Sequence, residues 1–559
     1  SFIEDKTMKN YLISFCCAAA FSASAFATDY VMYGATTAEG AFVYSSTDVA
    51  KQPWDAQTIP TASDRILWVG TQRSSAVLDP GYIAIDNDVV MPTVMVSGSG
   101  GQSPLHFILN SDVYTSDNFT VNSSLVNLNG HYTSVYFDGK GTVTFANNSG
   151  INLTSSNANA THVVFGADTA IETTGNFGIT GKNTGGETRS NVIIYGAMNV
   201  QGNLSGQANL ILSGSALKYV RDDFAASGST AATVRIIDNA NVSVGHGIAS
   251  KGNNTLSIES GTVAAQLLTI TDTSTTSITG GTLTLTGNTT VSSGSRFIVG
   301  AGGTVTMRNL VINTGTEETQ STTIINGDVT INALSFHNYN YFTVGETGKI
   351  TVNAAISLAG NTTTAIANNP RFVINSAGNE INGNFFMPEF GSFRVTADND
   401  WNSSLLLRGG RTNVFVENNA TLEVNGLLSV STVSGKTSNI SVESGSVLLV
   451  GSTMGTIVQN DITYVGFGEL DGSVLNYLNI VSFEENTIAF KEIGNAAQQD
   501  AFLSRVTIGG AYSEDLRFSD FDSSIGGYWL TTAPIPEPST WAAIFGAVAL
   551  GFAAYRRRK

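Results

Sequence analysis

The sequence predicts an all-β fold: a right-handed parallel β-helix (solenoid) with capping segments, followed by a C-terminal transmembrane helix. Three observations predict it. Short runs of alternating apolar residues recur every 20–25 residues and turn on a Gly, Ala or Asn corner. Charged residues make up only 13% of the 559 residues, whereas Gly numbers 58. The chain closes on "PIPEPSTWAAIFGAVALGFAAYRRRK" (534–559), an uncharged apolar stretch held between a Pro-Glu-Pro and four cations.

The rungs are clearest in "VYFDGKGTVTF" (135–145), "VRIIDNANVSV" (234–244), "SITGGTLTL" (277–285), "FIVGAGGTVTM" (297–307) and "ISVESGSVLLV" (440–450). The corners Ala240, Gly261, Gly281, Gly303, Gly327 and Gly348 follow at intervals of 21, 20, 22, 24 and 21 residues; Ala420 and Gly445 are 25 apart. Period-two alternation describes strands with one buried face. Gly or Asn at a corner is expected to supply a positive φ. The period is too short for a propeller blade, lacks the leucine-rich signature, and is far below the length of a sandwich module. One such turn cannot bury its own apolar face; stacking makes the core continuous.

In chain order, residues 1–27 read as an upstream extension, "SFIEDKT", and a signal peptide starting at Met8. Lys9 precedes an apolar run from Tyr11 to Phe21, and Ala25-Phe26-Ala27 is a small-x-small cleavage site. The Sec translocon and signal peptidase are the implied partners. Both cysteines, Cys16 and Cys17, lie in this segment, so cleavage after Ala27 leaves no thiol for a disulfide or a metal. Residues 28–110, with Trp54, Pro60 and Trp68, are expected to form an N-terminal β cap, and residues 111–455 the β-helix repeats. Residues 456–533 are a C-terminal cap and spacer, with a helix within 491–506 and a closing strand pair within 516–530. Residues 534–559 form the tail.

A net charge of -17 without a basic stripe argues against nucleic acid. His106, His131, His162, His246 and His337 are scattered singly, without metal-ligand spacing. The pairs Asp86/Asp88, Asp222/Asp223, Asp398/Asp400 and Asp520/Asp522 match calcium-ligand spacing and equally match Asx turns. Arg221-Asp222-Asp223 is the densest charged point of the repeats. No residue is assigned a catalytic, cofactor or metal role, and no cofactor is expected. A structural or adhesive protein whose Ser/Thr/Asn-rich flank meets exopolysaccharide, host or matrix glycans is the first reading. A polysaccharide lyase or hydrolase is the alternative, resting on fold analogy.

The repeats resemble the passenger regions of autotransporter-type bacterial surface proteins, without the membrane β-barrel of that family. A sharper resemblance lies in the tail. Pro536-Glu537-Pro538-Ser539-Thr540-Trp541, the Gly/Ala-rich segment Trp541–Tyr555 and Arg556-Arg557-Arg558-Lys559 resemble the PEP-CTERM sorting signal of Gram-negative bacteria. The resemblance implies recognition at Pro536–Pro538 by an exosortase in the inner membrane, with the cations as a stop. It further implies cleavage near the prolines and passage to the cell surface, the outer membrane or an extracellular, biofilm-type matrix. The prolines are expected to keep the recognition element extended and out of the helix.

Overall fold

A computed structural model describes residues 29–32, 41–46, 53, 65–68, 81–91, 93–95, 105–115, 118–123, 134–155, 162–181, 191–227, 231–313, 316, 318–337, 339–359, 371–408, 411–431, 435–459, 461–470, 473–534 and 538–557. They fall in two compact units, Ser1–Asp222 and Asp223–Lys559. The signal peptide expected in residues 1–27, with Ala25 and Ala27, lies outside the described residues, as do Trp54 and Pro60.

In the first unit three parallel ladders run side by side along the chain. One stacks Phe42–Val43, Gly81–Ile85, Leu105–Leu109, Ser134–Gly139, His162–Phe165, Asn191–Ile194 and Asn209–Leu212. The second stacks Val89–Met91, Val113–Thr115, Thr142–Phe145, Ala170–Thr173, Met198–Val200 and Leu217–Val220. The third stacks Phe119–Ser123, Ser149–Ser155, Phe177–Gly181 and Leu204–Gly206. This is the β-solenoid the repeats predict: the turns between Leu105 and Gly206 each contribute a strand to all three ladders, and the alternation sends every second side chain inward. Like residues then meet down the axis. Phe107, Phe137 and Phe165 are in register, with ring centroids 5.3 and 5.0 Å apart.

The second unit repeats the design. Its first ladder runs from Thr233–Ile236 through Thr255–Ile258, Thr275–Ile278 and Arg296–Val299 to Tyr477–Ile480 and Val506–Ile508. The strands Thr304–Ile312, Asp328–His337 and Lys349–Ala359 are long enough to serve two ladders each. Rung strands thus occur on both sides of residues 111–455, where the sequence pattern is plainest.

The corner glycines act differently from the expectation. Of the corner glycines, only Gly261 at +100° and Gly445 at +83° have a left-handed φ. Asp and Asn also supply that conformation, with Asp238, Asn239, Asn418 and Asn419 between 51° and 64°. The glycines serve close approach. The carbonyls of Ala240, Gly261, Gly281, Gly303 and Gly327 accept bonds of 2.9–3.0 Å from the amides of Thr262, Thr282, Thr304, Asp328 and Lys349, one turn on. A Cβ on Gly327 would lie 2.2 Å from the Gly300 oxygen and 2.3 Å from that of Gly303. The sequence period is therefore the rung register itself, written as missing side chains.

Near its C-terminal end the second unit changes direction in all three ladders. Val506–Ile508 is followed by antiparallel Ala511–Tyr512. Ile488–Glu492 is covered by the antiparallel pair Gly527–Thr531 and Arg517–Asp522, the strand pair expected within 516–530. Thr421–Ser431 meets the hairpin Thr456–Gln459/Ile462–Gly466. A parallel ladder otherwise ends in a row of unpaired backbone groups that templates further strands. The helix expected within 491–506 forms over Ala496–Leu503, started by a capping box in which Asn495 and Gln498 bond each other's backbone amides at 3.1 and 3.0 Å. Its Phe502 is fully buried against Phe467, Phe490 and Phe518.

Candidate functional site

The tail forms the helix Pro538–Arg557. Pro538 is its first residue, where a missing N–H costs nothing and the fixed φ suits the first turn. This corrects the expectation that both prolines stay outside the helix. Ser539, Thr540 and Trp541 follow within the helix, while Pro536 and Glu537 lie outside the described residues. Arg556 and Arg557 occupy the last turn, exposed, where cations complement the helix dipole. Arg558 and Lys559 lie outside the described residues.

The expected transmembrane helix is not found: no helix among the described residues is long and apolar enough to cross a membrane. The reason is in the sequence. Pro, Ser, Thr and Trp fill the first turn and arginines the last, leaving Ala542–Ala554, 13 residues rich in Ala and Gly. At ~1.5 Å per residue that stretch covers about 20 Å of a hydrocarbon core about 30 Å thick. The described side chains in the C-terminal half of the helix nonetheless lie outside the protein core. Leu550 is 72% and Phe552 71% exposed, with Val548 and Tyr555 also exposed.

The stem that leads into the tail is tied down. Glu485, in the loop after Tyr477–Ile480, accepts bonds from Thr531 Oγ1 (2.6 Å), Thr532 N (2.9 Å) and Thr532 Oγ1 (2.7 Å). Arg517 donates through Nε to the Ala533 carbonyl (2.8 Å) and through Nη2 to that of Thr532 (3.0 Å). The Ala533 amide donates to Thr531 Oγ1 (3.0 Å). Partial burial pushes the Glu485 carboxyl up, but the donors from Thr531, Thr532 and Ala533 outweigh it and hold it below the usual glutamate range. Neither Glu485 nor Arg517 stands out in the sequence, because their partners are 15–47 residues away.

The titratable residues singled out in the sequence serve the rungs. Asp86 accepts from Asn110 Nδ2 (2.8 Å) and Asp88 from the Asp112 amide (3.1 Å). Asp398 accepts from the Thr421 amide (2.7 Å) and Asp400 from Asn425 Nδ2 (2.5 Å). Asp522 accepts from Ser524 and Trp529 Nε1 within its hairpin. These are corner bonds, one rung to the next or across one turn. Arg221 pairs with its neighbour Asp222 at 3.2 Å, exposed, in the first unit. In the second, Asp223 Oδ1 lies 2.6 Å from His246 Nδ1. His106 Nδ1 lies 2.9 Å from Asp138 Oδ2, its ring stacked between Tyr82 and Tyr136. Burial pushes the His162 and His337 imidazoles down; His131 lies outside the described residues. Among the described residues no group of three or more His, Cys, Asp and Glu side chains is placed to hold a metal ion.

A buried lysine escaped the sequence reading. Lys218 is fully buried at an interior position, in register with Met198. Its Nζ donates to the carbonyls of Ser213 (2.5 Å), Gly214 (2.7 Å), Ala216 (2.9 Å) and Tyr195 (3.1 Å). Burial pushes the ammonium down to about 8. The strand "LKYV" alternates either way, and only the register with the preceding turn sends Lys218 in and leaves Leu217 47% exposed.

No curated protein and no solved structure shows significant similarity to this chain. Residues 534–559 match the PEP-CTERM protein-sorting motif, so the chain carries, behind a parallel β-solenoid, the C-terminal signal of an exported protein sorted at a membrane by an exosortase.

Proposed function

We propose that this protein is a structural and adhesive component of the cell surface or its extracellular matrix, and that its solenoid flank contacts polysaccharide without catalysis. The observation that carries the reading is a hydroxyl-bearing face in the second unit. Thr262, Thr282 and Thr304 stand in register, and beside them Ala264, Thr284, Thr306, Thr330 and Thr351. Thr262, Thr284, Thr304, Thr306 and Thr330 are exposed. Parallel strands repeat at about 4.8 Å, so these rows offer evenly spaced hydroxyl and methyl groups. Such a face suits a polymer that is itself periodic and bears hydroxyls. The sorting signal supports the address, since an exported, membrane-sorted protein reaches the compartment where such polymers lie. In this reading the tail is a transient contact with the inner membrane, removed near Pro536–Pro538 before display.

The test uses the full chain secreted from a bacterium that carries an exosortase. Intact mass of the surface form should fall short of Lys559 by the tail. Binding to a panel of exopolysaccharides and matrix glycans should be weakened at least tenfold by Thr284→Lys with Thr306→Lys. Binding unaffected by these changes, a surface species ending at Lys559, or new reducing or unsaturated ends in a bound polysaccharide would each overturn the reading.

A further inference from the structure

The signal and the fold meet at residues 531–533, and there the hydrogen bonding is unusually complete for an exit from a domain. The Thr532 amide and hydroxyl go to Glu485, the Thr531 hydroxyl goes to Glu485, and the Ala533 amide goes to Thr531. The Thr532 and Ala533 carbonyls both go to Arg517. The next residue, Pro534, has no N–H to offer, so this pattern of amide bonding stops there. Thr531 also ends the strand Gly527–Thr531, which is paired on one side with Ile488–Glu492 and on the other with Arg517–Asp522. Arg517 is thus held by the same hairpin whose end it clamps.

The distance to the signal is what gives the clamp a consequence. Ala533 is three residues from Pro536, the start of the recognition element. Three extended residues reach about 10 Å at ~3.3 Å each. A processing enzyme that grips the chain on the N-terminal side of Pro536 therefore meets the folded cap almost at once, and residues 531–533 are not free to enter its cleft.

We infer that Glu485 and Arg517 are positioning residues for processing: they lock the stem to the cap and restrain access of the sorting enzyme to Pro536–Glu537–Pro538. The inference rests on the sorting reading above. Opening the clamp frees three further residues, roughly doubling the slack before the recognition element, and processing then speeds up. Glu485 is exposed on a surface loop, so its replacement loosens the stem and leaves the solenoid core intact.

The experiment follows full-length precursor to tail-less product by intact mass in an exosortase-bearing bacterium, after a pulse of synthesis. Glu485→Ala and Arg517→Met are expected to raise the processing rate at least threefold. Glu485→Gln keeps one acceptor oxygen for Thr532 and should fall between Glu485→Ala and the parent. Hydrogen exchange of the Thr532 and Ala533 amides in the purified precursor should rise at least tenfold in Glu485→Ala while the amides of Val506–Ile508 stay protected, which separates stem release from unfolding. Processing unchanged or slower in Glu485→Ala, with exchange at Thr532 increased, overturns the inference. A parallel variant, Pro536→Ala with Glu537→Ala and Pro538→Ala, keeps the two readings apart. If it is processed normally, the sorting reading fails. If it is blocked while Glu485→Ala matches the parent rate, the clamp inference alone fails.

Discussion

Replacing Lys218 by Met keeps the length and apolar stem of the side chain and deletes only the ammonium. The lost interactions are with four backbone carbonyls at 2.5–3.1 Å, and an ammonium has three hydrogens to share among them. At ~2 kcal/mol for each bond from a charged donor, their loss costs about 6 kcal/mol. Against this stands the cost of burying the charge. A shift from 10.5 to about 8 is worth roughly 3 kcal/mol at ~1.36 kcal/mol for each pH unit, and Met recovers it. Lys218→Met should therefore destabilise the first unit by about 3 kcal/mol at pH 7.

The assay is urea unfolding of parent and variant, with amide exchange in the strand Leu217–Val220 as a local readout. The pH dependence adds a second check. The folded pKa lies below the unfolded one, so between about 8 and 10.5 the unfolded chain binds the proton and the folded chain does not. Parent stability then rises with pH across that window, the variant's does not, and the deficit of the variant widens. A Met variant as stable as the parent at pH 7 would refute the reasoning. It would mean that an apolar interior serves this turn as well as the ammonium does, as happens for some buried ion pairs.

Two further predictions concern the scaffold. Gly327→Ala should cost about 3 kcal/mol in urea unfolding, because its Cβ meets two backbone oxygens from the preceding turn that cannot give way. Gly378→Ala, at φ +72° with no atom within 4 Å of the new Cβ, should cost only about 1 kcal/mol; equal losses would show that conformation rather than close approach governs the corners. Phe502→Ala empties the centre of the Phe467–Phe490–Phe518 cluster and should cost about 3–5 kcal/mol. It should also promote self-association by loosening the cover over the ladder ends, and a monomeric variant within 1 kcal/mol of the parent, by sedimentation and urea unfolding, would count against the capping role.

The solenoid was legible because its information is local and repeated. The column Ala240–Gly261–Gly281–Gly303–Gly327–Gly348 marks the register in the sequence, and each carbonyl from Ala240 to Gly327 accepts from the residue that follows the next member. The helix Ala496–Leu503 was legible as a segment within 491–506, without its cap. The physical role of the glycines was not, since close approach between turns and left-handed φ favour the same residue. Lys218 was hidden by the symmetry of a four-residue alternation, which either register satisfies. The buried residues Phe386 and Leu406 drew no expectation from the sequence. They are explained only by Tyr464, Ile457 and Ile462 of the hairpin folded over them, an event some 50 to 80 residues later in the chain.

The same contrast decides where function is to be sought in this chain. A rung-to-rung bond such as Asn439 Nδ2 to Asn413 Oδ1 (3.0 Å), continued by Asn479 Nδ2 to Asn439 Oδ1 (3.0 Å), recurs because each turn presents the next with the same geometry. Contacts of that kind set the scaffold and a periodic surface, and no single one of them is chemically distinguished. The contacts that happen once are different. The reversal of all three ladders, the burial of Phe502 and the grip of Glu485 and Arg517 on residues 531–533 gather in the last segment of the second unit, directly before the sorting motif. Parallel growth has to stop before an unrepeated segment can leave the stack, because an open ladder would pair with it. If the clamp acts as inferred, the cap has two coupled duties: it closes the edges, and it sets how far the last tethered residue, Ala533, lies in sequence from the sorting signal.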